Sequence, residues 1–124
     1  ALPGASRHHW GTDIDVIDRA ATAQGYRPQL VPAEYAPGGV FHRLDAWLTA
    51  SMSRFGFYRP YVRDLGGVRP EAWHLSHADT ARPACGGLTA EIMQEAIESA
   101  DIEGKERLIE RMDEIRERYV VERQ

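Results

Sequence analysis

An α+β fold, a small antiparallel sheet with flanking helices, is what this sequence of 124 residues predicts. Two patterns carry the prediction. Strand-like stretches are short and separated by Gly and Pro, and they do not alternate regularly with helical stripes. The long amphipathic stripes fall mainly at the end of the chain.

Residues 1–11 read as a loop, with Pro3, Gly4 and Gly11 as breakers. Thr12 to Ile17 alternates, with Thr12, Ile14 and Val16 on one side and Asp13, Asp15 and Ile17 on the other, which predicts a short strand with both aspartates on one face. Residues 18–39 are mixed: a short helix over 18–24, then turns at Pro28, Pro32, Pro37 and Gly38-Gly39. Val40 to Phe55 predicts a helix whose apolar stripe is Leu44, Trp47, Leu48, Ser51 and Phe55, stopped by Gly56. Phe57 to Arg63 predicts a strand, Gly66-Gly67 a turn, and Glu71 to Ser76 a further short strand or bend.

From Leu88 onward the chain reads as helical, capped by Thr89. Ile92, Met93, Ala96, Ile97 and Ala100 form one stripe. Gly104 marks a break, and Leu108, Met112, Ile115 and Tyr119 form a second stripe. Glu103/Arg107 and Glu114/Arg118 fall four apart on the solvated side. The stripe over 108–119 would pack on its own domain or pair with a second copy. Residues 1–87 are therefore read as a core that carries the chemistry, and 88–124 as a helical segment packed on the same domain.

Composition is that of a globular domain, 43% hydrophobic and 27% charged. A net charge of -4 gives no reason to expect nucleic acid or an anionic membrane as a partner. No apolar run approaches the roughly 20 residues that span a bilayer. Cys85 is the one cysteine, so no internal disulfide forms, and it is read as a small buried hydrophobe. The opening Ala-Leu-Pro-Gly has neither an initiator Met nor the features of a signal peptide, so a preceding piece is expected to have been removed.

Two clusters carry chemistry. The first is Ser6-Arg7-His8-His9-Trp10-Gly11-Thr12-Asp13-Ile14-Asp15. Imidazole and carboxylate are both good zinc ligands, and Gly11 would let His8 and Asp15 converge. An exposed polar loop fits that spacing equally well. The second is Glu71-Ala72-Trp73-His74. Glu and His three apart do not share a face of a flat strand, but in a bend they can point at one centre. A core Trp beside two surface residues is the alternative. A catalytic zinc needs three protein ligands, an open position and a nearby base; His8, Asp15 and His74 would supply the ligands and Glu71 the base. His9 is read as a surface neighbour and His42 as solvent-facing. Tyr58, Arg59, Tyr61 and Arg63 would line a peptide groove or simply form an amphipathic strand.

Together, Ser-x-His-x-x-Gly-x-x-x-Asp over Ser6–Asp15 and Glu-x-Trp-His over Glu71–His74 resemble the D-alanyl-D-alanine carboxypeptidase family of zinc peptidases. That family shares its fold with the hedgehog signalling domain. The resemblance covers about residues 4–85. It implies zinc on His8, Asp15 and His74, Glu71 as general base, and supporting places for Ser6 and Trp73. The implied substrate is a peptidoglycan stem peptide ending in D-Ala-D-Ala, and the implied location is the periplasm or cell surface. A cross-link-cutting endopeptidase and a non-catalytic zinc-binding module remain alternatives.

Three departures stand out. Asp13 occupies a position that is more often small; a second carboxylate there would repel negative charge at the metal, hold a ligand histidine in orientation, or face solvent. His77 stands where Tyr is common. Family members also carry an upstream segment with an Arg that helps hold the substrate's carboxylate, and no match precedes Ser6, so the chain is expected to be the C-terminal part of a usual catalytic domain.

Overall fold

A computed structural model describes Leu2 and residues 4–121. The breaker expected at Pro3 and the last three residues of the C-terminal segment lie outside the described residues. The fold is α+β. Strands β1 (Asp13–Asp15), β2 (Phe57–Tyr58) and β3 (His74–His77) form one antiparallel sheet in the order β1-β3-β2. Among the described residues six helices surround it: α1 (Pro32–Tyr35), α2 (His42–Ser51), α3 (Ala78–Gly87), α4 (Ala90–Ser99), α5 (Lys105–Glu110) and α6 (Met112–Tyr119). No helix among the described residues is long and apolar enough to cross a membrane.

Register determines what the sheet presents. Asp13 lies opposite Ser76 and Asp15 opposite His74, while Tyr58 lies opposite Ser76 from the other side. Directly opposed residues share a face, as do residues two apart. One face of the sheet is therefore polar, and Arg7, from a 3-10 turn over Arg7–Trp10, is buried against it. Gly11 closes that turn with φ 71, a left-handed conformation that glycine adopts without a Cβ clash.

Two apolar clusters flank the sheet. Tyr35, Phe41 and Trp73 are buried together, with Leu44 and Leu30 against them. Met93, Ile97, Met112 and Val120 form the other, joined by Leu108, Ile115 and Trp10. The last turns of the chain are thus tied to its first described residues.

Several elements depart from the sequence expectation, each for a local reason. The helix expected to run to Phe55 ends at Ser51, and Met52–Phe55 is a 3-10 turn. Tighter winding there takes Phe55 off the stripe. Leu48 is buried, but Trp47 and Phe55 are 55% and 59% exposed and stack on each other at 6.3 Å. The strand expected over 57–63 is only Phe57–Tyr58. The short helix expected over 18–24 is the 3-10 turn Arg19–Ala21. Helix α3 falls on a stretch for which no element was expected; it runs through Pro83 to Gly87 with Ala81 and Cys85 buried. The stripe over 108–119 is split at Arg111 (φ -114) into α5 and α6. Thr89 caps α4 as expected, its hydroxyl accepting from the Ile92 amide at 3.4 Å. Ile92 itself is 48% exposed and falls outside the buried stripe. Glu103 precedes α5, which begins after Gly104, so Arg107 pairs instead with Glu110 at 2.9 Å.

The segment before α2 is organised by one buried carboxylate. Glu34 accepts from the Tyr26 hydroxyl (2.6 Å) and from the Gln29 and Val31 amides (3.0 and 3.3 Å). Burial opposes the charge, but these donors hold the carboxyl below its ordinary value. Replacing Glu34 with Ala leaves the donors unmatched and should cost about 1–3 kcal/mol in urea unfolding at neutral pH. The sign with pH follows: a folded-state pKa below the unfolded value of about 4.3 stabilises fully above that pH and is lost as pH falls through the folded value. The gap between wild type and Glu34→Ala should therefore narrow in acid; a gap that widens would contradict this role.

Candidate metal centre and its pocket

Three side chains from separate parts of the chain converge above the polar face of the sheet. His8 comes from the 3-10 turn, Asp15 from β1 and His74 from β3. One ligand atom from each lies within 4.8 Å of the other two. His8 Nε2 is 3.6 Å and His74 Nδ1 3.7 Å from Asp15 Oδ1. Tetrahedral coordination at about 2.0–2.1 Å would set ligand atoms about 3.4 Å apart, so these two edges already have the right length. Asp15 and His74 meet because they are cross-strand partners. His8 reaches them because Gly11 reverses the chain between the turn and β1.

Asp13 sets how both histidines present their nitrogens. Its Oδ2 accepts from Arg7 Nε (2.9 Å) and faces His74 Nε2 at 2.7 Å. Its Oδ1 accepts from the hydroxyls of Thr12 (2.6 Å) and Ser76 (2.8 Å). Burial disfavours this carboxylate, yet the hydrogen bonds from His74, Thr12 and Ser76 and the charge of Arg7 hold its pKa well below the usual carboxylate range. An ionised carboxylate only accepts, so His74 Nε2 carries its hydrogen and Nδ1 is turned to the centre. The backbone carbonyl of Asp13 does the same for His8: it accepts from Nδ1 at 3.2 Å, which leaves Nε2 facing Asp15. One residue thus orients both imidazoles, the arrangement by which outer partners fix metal-binding histidines. Two imidazole nitrogens and a carboxylate oxygen, oriented in this way, fit a borderline divalent cation.

Glu71 completes the group. The turn before β3 brings its Oε2 to 2.9 Å from His74 Nδ1. Trp73 is buried against Tyr35 and Phe41, which pins the turn from below. Arg59 pins it from the side, donating to the Ala72 carbonyl (2.9 Å) and to Asp45 (2.8 Å). The Glu71 amide donates to the Tyr61 carbonyl at 3.0 Å. Burial would lower the pKa of His74, but its bonds to Asp13 and Glu71 outweigh that and raise it to about 9. For Nδ1 to serve as a ligand it must give up the proton it shares with Glu71, so metal binding here would release a proton. Tyr61 packs edge-on against His74 at 5.0 Å, and burial pushes its hydroxyl up to about 12, so it stays a donor at neutral pH.

These groups open into a cavity of about 480 Å³. His8 and Asp15 are partly exposed toward solvent, whereas the His74 side chain is only 5% exposed. The structure brings together His8, Asp15, His74, Glu71 and Asp13; Ser6 and Trp73 line the same cavity. His9 and His42 are exposed, and Cys85 is buried with its thiol toward the Val120 carbonyl. The expected groove residues separate: Tyr61 lines the cavity, Tyr58 accepts from Arg7 at 2.7 Å, and Arg59 braces the turn.

Arg7 and Ser76 were missed from sequence. Arg7 lay inside the first motif as an unassigned position, and Ser76 acquires its role only from the register that sets it opposite Asp13. The wall formed by Leu108, Ile115 and Tyr119 was also missed, since it belongs to a distant part of the chain.

The family model for D-alanyl-D-alanine carboxypeptidases (VanY) matches residues 1–80. A relative from Haemophilus influenzae, described only as an uncharacterized protein, is 34% identical over 122 residues, spanning 97% of this chain and 93% of the relative. No solved structure matches.

If Asp13 orients His74, Asp13→Asn should weaken divalent-metal affinity by about 10–100-fold while the far-ultraviolet circular dichroism stays that of the wild type. Competition with a chromophoric chelator measures it, and an unchanged affinity in a folded variant would remove Asp13 from the account.

Proposed function

Because this chain belongs to the D-alanyl-D-alanine carboxypeptidase family, we propose that it is a zinc-dependent peptidase that removes the terminal D-alanine from peptidoglycan stem peptides. The observation that carries the reading is Glu71 Oε2 lying 2.9 Å from His74 Nδ1, a carboxylate set beside a three-ligand group at the head of an open cavity. His8, Asp15 and His74 would hold the zinc. When bound, zinc polarises a carbonyl oxygen and makes a coordinated water acidic near neutral pH.

The rest of the chemistry falls to the chain's own residues. Glu71 accepts the proton of the attacking water and delivers it to the departing amine, a role open to its carboxylate once His74 Nδ1 no longer shares a proton with it. Asp13 keeps His74 in one tautomer through the cycle. The Tyr61 hydroxyl, protonated at working pH, donates and cannot compete as a base. Trp73 and Arg59 hold the turn that carries Glu71, so the base stays aligned without moving the ligands. Work on stem peptides would place the protein in the periplasm or at the cell surface.

The test pairs two variants. Glu71→Gln should keep about one zinc per chain and lose at least about 10²-fold in release of D-alanine from a D-Ala-D-Ala peptide, the lower end of what a positioned general base contributes. His74→Ala should lose the zinc. Near wild-type turnover in Glu71→Gln would refute the mechanism.

A further inference from the structure

The cavity above the metal ligands has two unlike walls. His8, Asp15, Glu71 and His74 make one. Leu108 from α5, Ile115 and Tyr119 from α6, and Val120 make much of the other, with Val68 beside them. These helices lie beyond residues 1–80, the part that matches the family model. They are held against the site from both sides. Arg116 Nε donates to the Leu88 carbonyl at 2.7 Å, and the Cys85 thiol meets the Val120 carbonyl at 3.5 Å. On the loop side, Arg118 Nε donates to the Gly66 carbonyl. A Cβ on Gly67 would overlap the Arg118 carbonyl oxygen, so the loop and the end of α6 touch backbone to backbone. The same loop leads through Val68 to Glu71.

We propose that α5 and α6 form the side-chain subsite of this peptidase: the residue next to the scissile bond seats an uncharged, apolar side chain against Leu108, Ile115 and Tyr119. The inference rests on the peptidase reading and names what that site selects. The reason is complementarity. The charged lining side chains, Arg7, His8, Asp15, Glu71 and His74, come from the metal side, while the lining residues from α5 and α6 are uncharged, so burying a carboxylate or ammonium among them is unfavourable. An apolar side chain loses only its contact with water. Discrimination by such a wall is expected at the 10–200-fold level that hydrophobic pockets reach.

The experiment uses acetyl-D-Ala-X dipeptides with X as D-Ala, D-Leu or D-Glu, titrated by calorimetry into metal-free and zinc-loaded full chain. Turnover is measured in parallel. Wild type should bind the D-Ala and D-Leu peptides at least ~10-fold tighter than the D-Glu peptide. Tyr119→Ala removes a half-exposed side chain and should shift the D-Leu to D-Ala preference by ~10-fold, with zinc content unchanged. Ile115→Trp narrows the cavity and should weaken the D-Leu peptide by a similar factor; circular dichroism checks that it folds. Equal binding of all three peptides, no binding of any, or variants that leave the preference unchanged would overturn the subsite. These outcomes stand apart from the peptidase reading. If Glu71→Gln behaves as expected but the preference is flat, only the subsite is wrong. If zinc uptake or turnover fails while the metal-free preference holds, the subsite survives and the enzyme reading does not.

Discussion

The carboxylate of Asp13 is the constraint on which the site depends. It is buried, ionised and surrounded by donors from four residues: Arg7, Thr12, His74 and Ser76. A buried charge with fewer partners would be costly, and a neutral group in its place would leave Arg7 without its counter-ion. Its side chain meets His74 and its backbone carbonyl meets His8, so one residue orients both imidazoles. Strand pairing supplies the third ligand, because the register that sets Asp13 opposite Ser76 also sets Asp15 opposite His74.

The apolar clusters serve this polar face from both flanks. Trp73 sits between Glu71 and His74 in sequence and packs among Tyr35 and Phe41, so the same turn sends one side chain into the core and two toward the centre. On the other flank, Met112 and Val120 anchor the helices whose remaining side chains close the cavity. Sheet, turn and helices thus converge on one volume even though the chain contributes them from widely separated segments.

Much of the centre was legible because its parts are local. The spacing His8 to Asp15 spans one turn and one strand, and Glu71 to His74 spans one bend, so short-range geometry was enough to suggest convergence. Asp13 was visible but ambiguous: whether it repels the metal, orients a histidine or faces water depends on register and on Arg7, neither of which periodicity encodes. Helix α3 contains Pro83 and Gly86-Gly87, whose local preferences oppose a helix, and it forms with Ala81 and Cys85 buried. Trp47 and Phe55 matched a helical stripe but stack on the surface, because the helix tightens after Ser51. Leu108, Ile115 and Tyr119 read as an ordinary packing stripe; that they face a cavity is a property of tertiary structure alone.

The central claim is a metal held by two oriented imidazoles and one carboxylate. X-ray absorption at the zinc edge of the zinc-loaded chain tests it most directly. The account predicts a first shell of nitrogen and oxygen at about 2.0–2.1 Å, with the outer-shell scattering of two imidazoles and no sulfur. A sulfur shell near about 2.3 Å, a first shell without imidazole, or a chain that takes up no zinc would contradict it.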